Sequence, residues 1–265
     1  MLRAFRSELT KLSRWSVLAG GAAMIAATAA LSYFALNEVT SNASKSGALA
    51  RALPTQQGLI ILLSSHAQTL LIAIAIIVVA ANVAAEWSQG TLRNLLVREP
   101  GRLRLLAGKM LALLLFVTIS AALALLIGAG VALAAAQSHG ISTTPWTTSA
   151  GVSAFFSFFG NTLLGLVGVS LLGMLIAVLT RSTGAAIGIS LAYALVVEGL
   201  IEAVWPAGGQ WFPVHLFGYL PSVASPMSYG APPMGYNSDL IVSLLWMTGF
   251  IVVSGVLFRF RDVSA

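Results

Sequence analysis

EWSQGTLRNLLVREPGRLR, residues Glu86–Arg104, carries four arginines in a chain of 265 residues that is otherwise almost bare of charge. Two long apolar runs flank it, Gly58–Ala85 and Leu105–Ala136. A short basic connector between two such runs reads as the turn between two membrane spans. It is also where a membrane protein can be gripped from the cytoplasm, and the rest of the chain is read outward from it.

Only 8% of the residues are charged and 58% are hydrophobic, with a mean hydropathy of +0.91. A soluble domain carries roughly 25% charged residues. Too few charges are present to cover a water-exposed surface, so the composition predicts a polytopic membrane protein. Cysteine is absent, which excludes disulfides and thiolate metal sites. The net charge of +6 has a plainer cause than nucleic acid: cations at span ends orient a protein in the bilayer. No nucleic-acid partner is expected.

Six apolar stretches stand out: Ser16–Leu36, Gly58–Ala85, Leu105–Ala136, Phe155–Leu179, Gly184–Val204 and Leu240–Phe258. About 20 residues cross the hydrocarbon core. In lipid each backbone group must find its partner within the segment, so all six are read as helices. The expected fold is all-α, one transmembrane domain over residues 1–265. Ser16–Leu36 is read as a span and not a cleavable signal, whose apolar core is roughly 7–15 residues. The second and third runs exceed spanning length and are expected to tilt or to project past the bilayer.

With the N-terminus inside, 12 of the 14 cations fall on the cytoplasmic side and only Lys45 and Arg51 outside. This positive-inside bias predicts a plasma-membrane protein with both termini cytoplasmic. Residues 1–15 read as an interfacial helix on membrane lipid, with Leu2, Phe5, Leu9 and Leu12 on one face and Arg3, Arg6, Lys11 and Arg14 on the other. An orientation anchor and a lever touching a cytoplasmic partner are both compatible with it.

Within the connector, Gly90 breaks the preceding helix and Thr91 can cap a new one. Leu92, Leu95 and Leu96 then form an i, i+3, i+4 apolar stripe, with Arg93 and Arg98 around it. Pro100-Gly101 ends the element, and Glu86 stands at the membrane exit within reach of a nearby cation.

A glutamate, then GTLRNLL, a proline closely followed by arginine, and GK opening the next span: this order resembles the permeases of type-2 ATP-binding-cassette exporters. The residues concerned are Glu86, Gly90–Leu96, Pro100, Arg102 and Gly108-Lys109. The likeness covers about 25 residues as a motif and the whole chain in layout. It implies a coupling helix at 86–104, seated in a groove of a separate ATPase subunit. Leu92, Leu95 and Leu96 would be its apolar knobs, and Arg93 and Arg98 would meet carboxylates on the ATPase. It implies an exporter with two permeases and two ATPases. An identical pair is the simplest assembly and a second, different permease the alternative.

The chain has no GxxxxGK[ST]; in GRLRLLAGKM the glycine is misplaced and no hydroxyl follows the lysine. ATP and Mg therefore belong to the partner, and no cofactor is expected here. No catalytic constellation is visible. His66, His139 and His215 lack metal-ligand spacing such as HExxH, and no serine sits in a GxSxG elbow. No metal site and no enzymatic activity are expected.

Residues 205–239 are read as an outer region. No Asp, Glu, Lys or Arg lies between Glu202 and Asp239, whereas six of the nine prolines and many aromatics do. Such a stretch settles in the interface or dips back against other helices. The resemblance implies short re-entrant helices before the last span.

Among polar residues in the spans, Glu198 and Glu202 share a helix face. Glu198 lies about 9 Å from the outer end of its span by helical rise. Two readings stay open: an ion-linked site or gate, since buried acids in membranes are costly and often functional, or an interfacial charge that reaches water or a partner such as His66. Asn82, Asn161, Thr162, Ser170 and Ser190 either line a pathway or bond between helices, and Gly184/Gly188 has the GxxxG spacing of close helix contact. The cargo of an exporter with such apolar spans is expected to be amphiphilic or hydrophobic: a drug, peptide or lipid-like molecule. The alternative is a secondary transporter or channel driven by an ion gradient.

Overall fold

The computed structural model describes residues 10, 15–41, 47–64, 67–91, 101–225 and 234–260. Six helices in it are long and apolar enough to cross a membrane, and no strand occurs among the described residues. The chain is an all-α multi-pass membrane protein. Its spanning helices are α1 (Trp15–Ser41), α4 (Ala67–Ser88), α5 (Arg102–Ser138), α6 (Ser149–Thr180), α7 (Thr183–Val204) and α10 (Tyr236–Phe260). Shorter helices are α2 (Gly47–Ala52), α3 (Gly58–Ser64), α8 (Pro206–Gly209) and α9 (Pro213–Tyr219).

Most boundaries follow from apolar run length. In Gly58–Ala85, expected to tilt or to project past the bilayer, the described residues form α3, a buried seven-residue helix, and α4, with residues 65–66 outside the described residues. α3 packs against α1 and α5, and α4 against α6, α7 and α1. Trp146 holds the entrance to α3. Its indole N–H donates to the Leu53 carbonyl at 2.8 Å, and that carbonyl lies where a Cβ on Gly58 would fall.

α6 is the most enclosed span and α7 the least. α1 and α5 lie close along their length because small residues face each other. A Cβ on Gly21 would meet Ser120 Oγ at 2.9 Å, and one on Gly128 would meet Thr28 Cγ2 at 2.8 Å. The hydroxyls of Thr28 and Ser32 are satisfied by carbonyls of their own helix, at Met24 and Thr28, 2.8 Å each. They therefore need no partner across the contact. The GxxxG pair Gly184/Gly188 behaves otherwise. Nothing lies within 4 Å of a Cβ at either position, so the tight packing expected of it is not made within this chain.

Alternate helix ends meet at two poles. At the basic pole, Ser88 and Thr183 hydroxyls bond at 3.0 Å, and the Arg102 guanidinium donates to the Arg259 carbonyl at 3.3 Å. Arg104, Lys109 and Arg181 belong to the same helix ends. At the opposite pole, α8, α9 and a 3-10 turn over Leu220–Val223 form a cap. This segment is packed: Val214, Leu216, Phe217 and Leu220 are buried. Over its described residues 206–223 the aromatic, uncharged stretch is thus short helices before the last span, as the resemblance implies. α9 is anchored by Phe217, whose ring fills a notch on α6. A Cβ on Gly168 would sit 2.5 Å from that ring, and one on Gly165 the same distance from the Phe217 carbonyl.

Candidate functional site

Two clusters of polar side chains occur, one at each pole. At the basic pole the ends of α4 and α5 carry the roots of the connector. α4 stops at Ser88, and Gly90 takes φ +66°, the left-handed conformation that ends a helix at glycine. Thr91 turns its hydroxyl back toward the Glu86 carbonyl at 3.4 Å. One turn before the break, Glu86 Oε1 lies 2.7 Å from Lys109 Nζ, and the residues are only 9% and 5% exposed. This is the cation the sequence called for, and it stands seven residues into α5. The beginning and end of the connector are therefore clasped by one enclosed ion pair. Beside it, Trp87 stacks edge-on against Phe258 with centroids 5.4 Å apart, joining the last turns of α4 and α10. The guanidinium of Arg102, on the first residue of α5, meets the carbonyl end of α10, where a cation is favourable. Leu92, Arg93, Leu95, Leu96, Arg98 and Pro100 lie outside the described residues.

At the cap pole, Glu198 is fully buried. It accepts the backbone N–H of Val214 at 3.1 Å on Oε1 and that of His215 at 2.8 Å on Oε2. Val214 and His215 are the second and third residues of α9, with Pro213 first. The first amides of a helix have no partner within it, and a carboxylate there also meets the positive end of the helix dipole. Glu198 thus caps α9 from a neighbouring helix. His66, the partner considered from sequence, lies outside the described residues.

A π turn over Tyr193–Val197 sets this geometry, its i→i+5 bond running from the Glu198 N–H to the Tyr193 carbonyl. The wider turn brings the Tyr193 hydroxyl to the same carboxylate. One α-turn later Glu202 reaches the same short helix: His215 Nε2 lies 3.2 Å from its Oε2, and the Tyr219 hydroxyl donates to its Oε1 at 3.5 Å. Burial first, and then the Glu202 carboxylate, push the Tyr219 phenol above its ordinary pKa, so it remains a donor. The shared face of the two glutamates, legible as i, i+4, is used entirely to hold α9.

Beside this clasp is a cleft of about 370 Å³, lined by Ser64, Gln68, Thr69 and Ile72 of α3 and α4, Ala194 and Leu195 of the π turn, and Val214, His215, Gly218 and Tyr219 of α9. Gln68 Nε2 donates to the Gly218 carbonyl at 3.3 Å. Gln68 and His215, with the π turn, were not singled out by sequence reasoning as a group. The proline opening α9 and the Ser64-Ser65-His66-Ala67-Gln68 interruption of an apolar run were the available signals.

The remaining polar candidates separate. Asn82 donates to the Val78 carbonyl of its own helix at 2.8 Å, whereas Asn161 Oδ1 accepts the Tyr236 hydroxyl at 2.9 Å and joins α6 to α10. Thr162, Ser170 and Ser190 are buried, their hydroxyls without a partner among the described residues. No group of three metal-ligating side chains occurs among the described residues.

Residues 24–264 match a family described as a protein of unknown function, DUF2705, and the chain belongs to it. No curated protein matches.

Proposed function

We propose that this member of the DUF2705 family is the membrane-spanning subunit of an ATP-driven exporter. In this reading it lies in the plasma membrane with both termini cytoplasmic. A separate ATPase holding ATP and Mg grips the connector, and two copies of the chain form the pathway. The observation that carries the reading is the buried Glu86–Lys109 pair, which fastens the two roots of the connector to each other. A loop that merely joins two spans gains nothing from an enclosed ion pair, whose desolvation offsets much of its attraction. A handle that must move as one piece does. The string Gly90–Leu96, Pro100 and Arg102, with its likeness to type-2 exporter permeases, supports the same reading.

The mechanism follows from a stiff handle. ATP binding closes the ATPase pair and displaces the connector. α4 and α5 move with it, the bundle turns from inward- to outward-facing, and hydrolysis resets it. An amphiphilic cargo enters between the two permeases. An ion-gradient carrier has less to rest on, because the buried Glu198 is already committed to two backbone amides.

The test is co-expression with the candidate ATPase, followed by copurification and ATP-dependent uptake into inside-out vesicles. Both should occur with the native chain and both should be lost with Leu95→Asp combined with Leu96→Asp. If that double variant still copurifies and transports, the connector is not the docking element. Crosslinking in the same preparation distinguishes a pair of identical chains from a mixed pair.

A further inference from the structure

Two side chains that line the cleft under α9 carry polar atoms that the fold leaves unused. Gln68 is only 8% exposed; its Nε2 is engaged with Gly218, and its Oε1 is buried with no partner. His215 gives Nε2 to Glu202, and its Nδ1 is likewise buried with no partner. In the neutral ring, a carboxylate at Nε2 favours the tautomer protonated there and leaves Nδ1 an acceptor. The two side chains that carry these orphaned acceptors both line one cleft. Buried polar atoms without partners are uncommon and call for an explanation. Among the described residues no Lys or Arg lines the cleft, and Glu202 bonds to two residues that do, His215 and Tyr219.

One side of the cleft is apolar. Ile72, Ala194 and Leu195 line it, with Thr69 and Leu195 exposed at its mouth. Its volume is within the roughly 300–1,000 Å³ of small-molecule sites. Val214, His215, Gly218 and Tyr219 form one face of α9 at i, i+4 spacing. On that face Gly218 leaves room: a Cβ there would meet nothing within 4 Å.

The geometry points to a binding site for an amphiphile with a primary ammonium headgroup. Its N–H groups bond to Gln68 Oε1 and His215 Nδ1, its charge is balanced by Glu202, and its chain leaves past Ile72 and Leu195. The site deepens the permease reading by naming a cargo class, and only the word cargo rests on that reading. The same headgroup chemistry occurs in a free alkylamine and in an ethanolamine lipid.

The experiment uses the full chain in nanodiscs of phosphatidylcholine and measures equilibrium binding of dodecylammonium. Saturable binding is expected, at least about tenfold tighter than for dodecyltrimethylammonium, which keeps the charge and lacks the donors. Gln68→Leu, which removes the acceptor, and Gly218→Leu, which fills the cleft, should each abolish it. Equal binding of the quaternary analogue overturns the proposal, as does undiminished binding in both variants. The primary-against-quaternary comparison is made on the native chain and decides the matter even where a variant does not fold. Adding phosphatidylethanolamine separates the sources: competition identifies a lipid headgroup, and its absence a free amine. No ATPase or nucleotide is needed, so failure here leaves coupling untouched, and failed copurification leaves the cleft untouched.

Discussion

Replacing Glu86 by Gln removes the carboxylate 2.7 Å from Lys109 in an enclosed position. At 2.7 Å and an effective permittivity of about 20, the attraction between the two charges is about 6 kcal/mol. Removing both from water offsets most of that, so the intact pair contributes little net stability. The asymmetry appears when one partner goes: removing one member of a buried pair costs about 3–5 kcal/mol. At roughly 2–4 °C per kcal/mol for a chain of this size, Glu86→Gln should lower the unfolding midpoint by on the order of 10 °C.

Trp87, packed on Phe258 beside the pair, places an indole where the assay can report it through its fluorescence during heating in detergent. Lys109→Met should cost a comparable amount by removing the ammonium from the carboxylate. The double change Glu86→Met with Lys109→Met removes both charges together. It should recover most of the loss, so the coupling between the two sites is large and of restoring sign. Additive losses in the double variant would refute the reasoning. So would a single Glu86→Gln variant as stable as the native chain.

Three further outcomes follow from the packing. Gly168→Ala places a Cβ 2.5 Å from the Phe217 ring and should cost about 1–3 kcal/mol by overpacking. Combining it with Phe217→Leu should be less than additive in thermal unfolding, and full additivity would mean that the notch does not anchor α9. Glu198→Leu should expose the Val214 and His215 amides, costing about 1–3 kcal/mol. Glu198→Gln should cost less because one acceptor remains. Hydrogen exchange at those two amides reads the effect, and unchanged protection in Glu198→Leu would exclude the capping role. Trp146→Phe should lose the bond to the buried Leu53 carbonyl, again about 1–3 kcal/mol, seen as faster proteolysis of the α2–α3 region. A native cleavage rate would count against that anchor.

The spans were legible because lipid imposes one demand, internal pairing of every backbone group, and run length alone reports it. Run length says nothing of which neighbour each span meets, and that is where the sequence signal stops. For Glu86 the sequence pointed only to an unnamed nearby cation, and Lys109 takes that place because the ends of α4 and α5 meet. The partners of Glu198 were not legible, since backbone amides have no residue-type signature and the π turn that aims Tyr193 and Glu198 follows from tertiary packing. Glycine spacing was misleading for a related reason. Gly184/Gly188 has the recognised pattern and touches nothing, whereas Gly165 and Gly168, three apart, receive a phenylalanine from a segment some 50 residues away. Small residues permit approach; which partner arrives is decided elsewhere in the chain.

α4 joins the two poles. Glu86 is in its last turn and Gln68 in its first, 18 residues or about 27 Å apart along the axis. Between them the helix is unbroken and packs on α6, α7 and α1, so an axial push or a roll at one end reaches the other with little loss. Gln68 is bonded to α9 through Gly218, and α9 is held by Glu198 and Glu202 of α7. Moving α4 against α7 must therefore strain or release the Gln68–Gly218 bond and change the width of the cleft between them. Under the permease reading, an ATPase that displaces the connector acts on that cleft through one rigid rod. A cysteine pair fixing α4 to α7 near Ser88 and Thr183, whose hydroxyls lie 3.0 Å apart, should abolish transport when oxidised while amphiphile binding persists. Transport that continues with the crosslink in place would show that α4 is not the transmitting element.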